Sequence, residues 1–169
     1  MKRLFLLTFV FYNLTVLLIW FCKVLNLKTE GYKYLGKINT PTELKGVPAE
    51  EIPELASKVR DYLVARVTEN DGHLASNLGV VELTLAMHRV FDCPRDHFIF
   101  DVGHQSYVHK MFTERFDRMD TLRKPGGISG FTNIFESKYD AFGSGHSSTS
   151  LSAGLGFAVS DKLAGNNRR

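Results

Sequence analysis

Three histidines in this chain each follow a glycine: His73 after Gly72, His104 after Gly103 and His146 after Gly145. Each pair stands at a junction between elements, where loops carry ligand contacts. An imidazole there can donate to a phosphate oxygen or pass a proton near neutral pH. The third pair lies in Gly143-Ser144-Gly145-His146-Ser147-Ser148-Thr149-Ser150, which runs into Leu151-Ser152-Ala153-Gly154-Leu155-Gly156-Phe157-Ala158-Val159. Its two glycines let a ligand approach the backbone. The Ser/Thr run offers N-caps to a helix beginning at about Ser147. The N–H groups of that first turn, with the helix dipole, suit an anion such as a phosphate. The small residues Ser152, Ala153, Gly154, Gly156 and Ala158 leave room for another backbone or a cofactor. The competing reading is a Gly/Ser turn that caps an ordinary buried helix.

Zinc is the rival chemistry for the histidines. His104 and His109 are five residues apart, off the i, i+4 spacing of a helical pair, and no Cys or carboxylate is placed to complete a set. No metal ligand is assigned. His88 and His97 read as structural. Asp101 either orients His104 or is a plain turn residue.

The elements that must position these groups follow from periodicity. Residues 29–48, broken by Gly31, Gly36, Pro41, Gly46 and Pro48, read as a linker with a short helical turn at Thr42 to Lys45. Ala49 to about Asn70 reads as an amphipathic helix. Ile52, Leu55, Val59, Leu63 and Val67 share one face, and Glu51, Glu54, Lys58, Arg60 and Asp61 point outward. Asp71-Gly72 stops it. Val80 to Val90 is apolar almost all round and is expected to be a buried helix. His97 to Val102 is a short apolar run between a turn and Gly103, which predicts a buried strand. His104 then starts at a strand end, the edge at which open α/β sheets bind ligands. Gln105 to Phe112 is expected to be helical. Thr113 to Lys138 reads as irregular, with Gly126 to Phe131 its most mobile loop, and Gly165 closes the last helix. In an alternating α/β pattern a strand comes next, so the domain is expected to be unfinished at Arg169.

Composition bounds the function. The chain has 169 residues, 44% hydrophobic and 23% charged, which suits one globular domain. Its net charge of +3 comes entirely from residues 1–30, since residues 31–169 hold 17 charges of each sign. There is no electrostatic case for nucleic acid. Cys22 and Cys93 make neither a disulfide framework nor a metal pattern, so a reducing compartment is the default. Leu4 to Cys22 is a run of 19 uncharged residues, about the length that crosses a bilayer. No small-x-small cleavage site follows it. An uncleaved membrane anchor over 4–22, a cleaved targeting segment and a mis-drawn start of the reading frame all remain open. Lys2 and Arg3 on one side and Lys23 and Lys28 on the other leave its orientation undecided.

From about Ile38 to Arg169 the chain resembles the 1-deoxy-D-xylulose-5-phosphate synthases, thiamin diphosphate enzymes of the transketolase superfamily. Four stretches carry the resemblance: Gly72-His73-Leu74-Ala75-Ser76-Asn77-Leu78-Gly79 with Val80 to Thr84, Asp101 to Lys110, Gly126 to Phe131, and Gly145 to Ser150. The resemblance implies an α/β fold. Residues 49–169 would be the N-terminal part of a transketolase-like, thiamin diphosphate-binding domain, after an apolar N-terminal helix in 1–28 and a linker over 29–48. It implies condensation of pyruvate with D-glyceraldehyde 3-phosphate and loss of CO2, feeding isoprenoid, thiamin and pyridoxal synthesis. His104, Gly145, His146 and Ser147 would bind the cofactor, chiefly at its diphosphate, and His73 and His104 would be the catalytic pair. The family's Mg2+ motif, Gly-Asp-Gly with a later Asn, would begin shortly beyond Arg169, as would the domain whose Glu activates the cofactor. The chain alone is therefore expected to lack synthase activity. A homodimer is implied for the full-length enzyme, with a cytoplasmic location, or a plastid one in a eukaryote. The apolar N-terminus departs from the family. The alternative is a non-catalytic, membrane-tethered remnant or a split-enzyme subunit that pairs with a second polypeptide.

Overall fold

Leu55, Val59, Leu63 and Val67 recur every four residues, and all four are buried on one helix, α2 (Ile52–Asn70). A 3-10 turn at Ala49–Glu51 leads into it, and Asp71 ends it in the left-handed conformation at φ 53. The structure is a computed structural model that describes residues 32–143 and 145–169. The apolar run 4–22 lies outside the described residues, among which no helix is long and apolar enough to cross a membrane.

Before α2, helix α1 (Pro41–Lys45) is set by a capping box, in which the Thr40 hydroxyl accepts from Glu43 N–H and Glu43 reaches back to Thr40 N–H. The stretch expected to be a linker packs closely. Leu35, Leu44 and Val47 are buried, and Arg89 donates to the carbonyls of Leu44 and Val47. After α2 come α3 (Leu74–Leu78), α4 (Val81–Val90) and α5 (Tyr107–Met111), then a 3-10 turn at Phe116–Thr121 and α6 (Thr149–Leu163). Arg60 on α2 forks onto the Glu82 carboxylate of α4 and donates to Leu78 O, so the outward face of α2 ties two helices together.

Three expectations are corrected here. Helix α4 buries only one face: Val81, Thr84, Leu85 and His88 are inside, while Leu83 and Val90 are exposed. The run 97–102 makes no strand. Among the described residues the β-bridge is an isolated one, Leu35 with Ile38, and the run begins with His97 N–H donating to Arg169 O at 2.8 Å. Val102 at φ 62 turns the chain out of the extended region. The right composition does not make a strand without a neighbour to pair with. The loop over 126–131 is tied down. Arg123 N–H donates to Ile128 O at 2.8 Å, and Ile128 is buried.

What ties it is a buried charge network. The Arg115 guanidinium forks onto Asp140 at 2.8 and 2.9 Å and reaches Glu136 at 2.9 Å, and Lys110 pairs with Glu136. The same two carboxylates accept backbone N–H groups of the loop, Ser129 at 2.6 Å on Glu136 and Asn133 at 2.8 Å on Asp140. His109 Nε2 sits 3.0 Å from Asp140, and His109 Nδ1 sits 3.0 Å from His88 Nε2. Burial pushes both imidazoles down, His88 to about 3 with help from neighbouring His109. Burial alone would raise the Asp140 carboxyl, but hydrogen bonds from His109 and Arg115 outweigh it and hold it well below the usual range. The pair is therefore a neutral imidazole donating to a carboxylate whose counter-ion is Arg115.

All three depressed values act in one direction. Well above about pH 6.5 the unfolded histidines are as neutral as the folded ones, and this stability is fully present. As pH falls from about 6.5, unfolded histidines take protons that folded His88 and His109 refuse, at up to about 1.4 kcal/mol per pH unit for each group. The urea midpoint should therefore drop between pH 7.5 and pH 5 at unchanged m-value, and a flat profile would refute the neutral buried pair.

Candidate functional site

The two glycine-linked histidines His73 and His104 are brought together by one side chain. Asn77 on α3 is fully buried, and its Nδ2 donates to His73 O at 2.7 Å and to His104 O at 2.8 Å. Its Oδ1 accepts Tyr107 N–H at 2.8 Å, so both donors of the amide and one of its two acceptor sites are used. The imidazoles of His73 and His104 meet edge to face, 5.2 Å between centroids. Phe131, from the loop held by Glu136, lies 5.7 Å from the His73 ring.

The turn into His104 is strained. Val102 at φ 62 and Gly103 at φ +86 are consecutive left-handed residues, and for β-branched Val102 this conformation is costly. Gly103 has no room for a Cβ, which would come 2.8 Å from Thr132 Oγ1. His104 Nδ1, Gln105 Oε1 and Thr132 Oγ1 are buried without a hydrogen-bond partner. Three orphaned polar atoms around one turn are what a polar ligand would satisfy. His73 is pushed below its ordinary value of 6.5 by burial, then by His104 and Arg123, so it is a neutral imidazole at pH 7. A cavity of about 530 Å³ adjoins Phe131 and Thr132, lined also by Ile134, Phe135, Phe142 and Gly145. Among the described residues no three His, Cys, Asp or Glu side chains cluster to hold a metal.

At the start of α6 the expected caps are corrected. Ser148 stands at the N-cap at φ 68 and its side chain makes no capping bond. Asp101 caps from across the fold. Its carboxylate accepts the Ser150 hydroxyl at 2.9 Å, and hydrogen bonds from Ser148 N–H and Ser150 hold it below the usual carboxylate range. A carboxylate of the chain itself thus stands where the sequence places an external anion. Asp101 does more than close a turn: it caps α6, and its charge also interacts with His104. Gly145, His146 and Ser147 are exposed just before it, and a Cβ on Gly145 would meet nothing within 4 Å. Asn77, Tyr107 and Thr132 were not singled out by sequence reasoning. Asn77 did leave one signal, a polar residue four positions after His73 in a segment where helical periodicity breaks.

A family model described as 1-deoxy-D-xylulose-5-phosphate synthase matches residues 35–169. That match takes in every element described above. The chain belongs to the 1-deoxy-D-xylulose-5-phosphate synthase family. It is 58% identical over 135 residues to the 1-deoxy-D-xylulose-5-phosphate synthase of Dehalococcoides mccartyi strain CBDB1, covering 80% of this chain and 21% of that protein. It is 54% identical over 134 residues to that of Francisella philomiragia, with 79% and 22% covered. It is 50% identical over 143 residues to that of Acidovorax ebreus, with 85% and 23% covered. The chain spans about a fifth of the length of these synthases.

The Asn77 clamp predicts a measurable cost. Asn77→Ala leaves the His104 carbonyl and the Tyr107 N–H without their partner and His73 O with the Ser76 hydroxyl alone, worth about 3 kcal/mol together. Asn77→Asp sets a carboxylate against two carbonyl oxygens and should cost more than Ala at pH 7. The order of urea midpoints should be Asn, then Ala, then Asp, and an Asp variant as stable as the parent would remove the clamp from the account.

Proposed function

We propose that residues 33–169 are the first part of the cofactor-binding domain of a 1-deoxy-D-xylulose-5-phosphate synthase, in an α/β domain completed by residues outside the described ones. The whole enzyme would condense pyruvate with D-glyceraldehyde 3-phosphate and release CO2. The observation that carries this reading is the contact of His73 with His104 beside a turn whose buried His104 Nδ1 and Thr132 Oγ1 have no partner. These atoms, and a glycine with no room for a Cβ, fit a polar cofactor group lying against the turn.

When bound, thiamin diphosphate supplies the carbon nucleophile and electron sink that decarboxylation needs. His104 would hold it through the orphaned Nδ1, with Gly145, His146 and Ser147 facing its diphosphate end. Asp101 already occupies the first turn of α6, so a diphosphate there meets a like charge. A Mg2+ ion would relieve that repulsion, with ligands from outside the described residues. His73, neutral and half-buried, would donate to or take a proton from a substrate oxygen. Phe131 would shield that exchange from water.

The test is a chimaera in which residues 35–169 replace the matching part of the Dehalococcoides mccartyi synthase. It should release CO2 from pyruvate only with thiamin diphosphate and D-glyceraldehyde 3-phosphate present, while the 169-residue chain alone releases none. In the chimaera His73→Ala should lower kcat by about 100-fold or more, the usual scale of a lost acid–base group. A folded but inactive chimaera, or one indifferent to His73→Ala, would overturn the assignment.

A further inference from the structure

Tyr107 makes an unusual pair of contacts for a fully buried phenol. Its ring is 0% exposed, and its hydroxyl lies 3.2 Å from His73 Nδ1 and 3.3 Å from His73 N. The backbone N–H can only donate, so the phenolic oxygen accepts there. The phenolic proton then needs an acceptor of its own, and among the described residues His73 Nδ1 is the one within reach. We propose that Tyr107 is a positioning residue that fixes His73 in its Nε2–H tautomer, so that the proton His73 presents is on the nitrogen facing away from Tyr107.

The surroundings are built to keep that bond. Tyr107 N–H is held by Asn77 Oδ1 at 2.8 Å, and the same amide holds His73 O, so both ends of the Tyr107–His73 bond hang from one side chain. Gly72 leaves the space. A Cβ there would come 3.2 Å from Tyr107 Cε2 and Oη and 2.8 Å from Val67 Cγ1. Burial raises the phenol, more than the bond from His73 N–H lowers it, so Tyr107 stays a donor across the neutral range. The other groups around His73 do not compete. His104 meets the ring edge to face and Arg123 bears on it only through its charge. Both discourage a second proton on His73 and neither chooses between its nitrogens. That choice falls to Tyr107. A hydroxyl that donates to the neutral ring also opposes protonation, because the phenolic oxygen can accept Nδ1–H of His73⁺ only by leaving its own buried proton without a partner.

The chemical value of the arrangement rests on His73 working at the reacting centre, but its test does not. The 169-residue chain, labelled with 15N in histidine, reports tautomers through the two ring-nitrogen shifts. His73 should show a single Nε2–H pattern, with Nδ1 displaced by an accepted hydrogen bond. Tyr107→Phe keeps the ring and removes only the donor. It should convert His73 to a mixture of tautomers and raise its pKa, with His88 and His109 unchanged as internal controls for folding. A wild-type His73 in the Nδ1–H form, or averaged between forms, overturns the proposal. So does a folded Tyr107→Phe chain with unchanged His73 shifts. If Tyr107→Phe does not fold, the wild-type Nδ1 shift still decides. If the tautomer is as proposed while His73→Ala leaves the chimaera active, the positioning stands and the catalytic reading of His73 falls.

Discussion

A primary amide taken wholly out of water must find partners for two N–H bonds and a carbonyl, and Asn77 finds all of them on segments that carry the site. His73 O lies four residues from Asn77, while His104 O and Tyr107 N–H lie 27 and 30 residues from it. Removing any one leaves a buried group unpaired, so the stretch around His73 and the stretch from His104 to Tyr107 are held together. The constraint also explains why α3 can be a helix of five residues. It is held by tertiary bonds at both ends and does not need propensity to survive.

The charge network does the same for the opposite wall. Glu136 and Asp140 each neutralise a buried cation and each hold a loop amide, so the backbone that presents Phe131 and Thr132 is bonded on both sides to the buried carboxylates. Such networks are poor sources of net stability, because desolvation consumes most of the attraction. Their geometric demand is high, and that is what a site with little tolerance for displacement requires.

Much of this was legible in the sequence. The four-residue rhythm of Leu55, Val59, Leu63 and Val67, the stop at Asp71-Gly72 and the motifs holding His73 and His104 all lie in short-range patterns. What escaped depended on partners distant in the chain. Val102 to Gly103 turns left-handed because the turn must pass Thr132, which no local rule announces. Asp101 caps α6 across 49 residues, so a serine run that looks like a cap is not one. The strand over 97–102 failed for the same reason, since pairing is a property of two segments. Tyr107 lies within one of those motifs, yet its role is visible only when its hydroxyl is seen against His73.

Helix α6 has no buried residue, and Leu151, Leu155 and Leu163 are 77%, 67% and 84% exposed. Its hold on the rest runs through a few contacts: Asp101 at its start, Phe157 against His97, and Asp161 beside His97 and Arg168. An element so lightly anchored opens without the core opening. Its amide protons should exchange with solvent on a faster clock than those of α2. Any opening of α6 takes Ser148 and Ser150 from Asp101, so the carboxylate beside the histidine turn loses its partners with the helix.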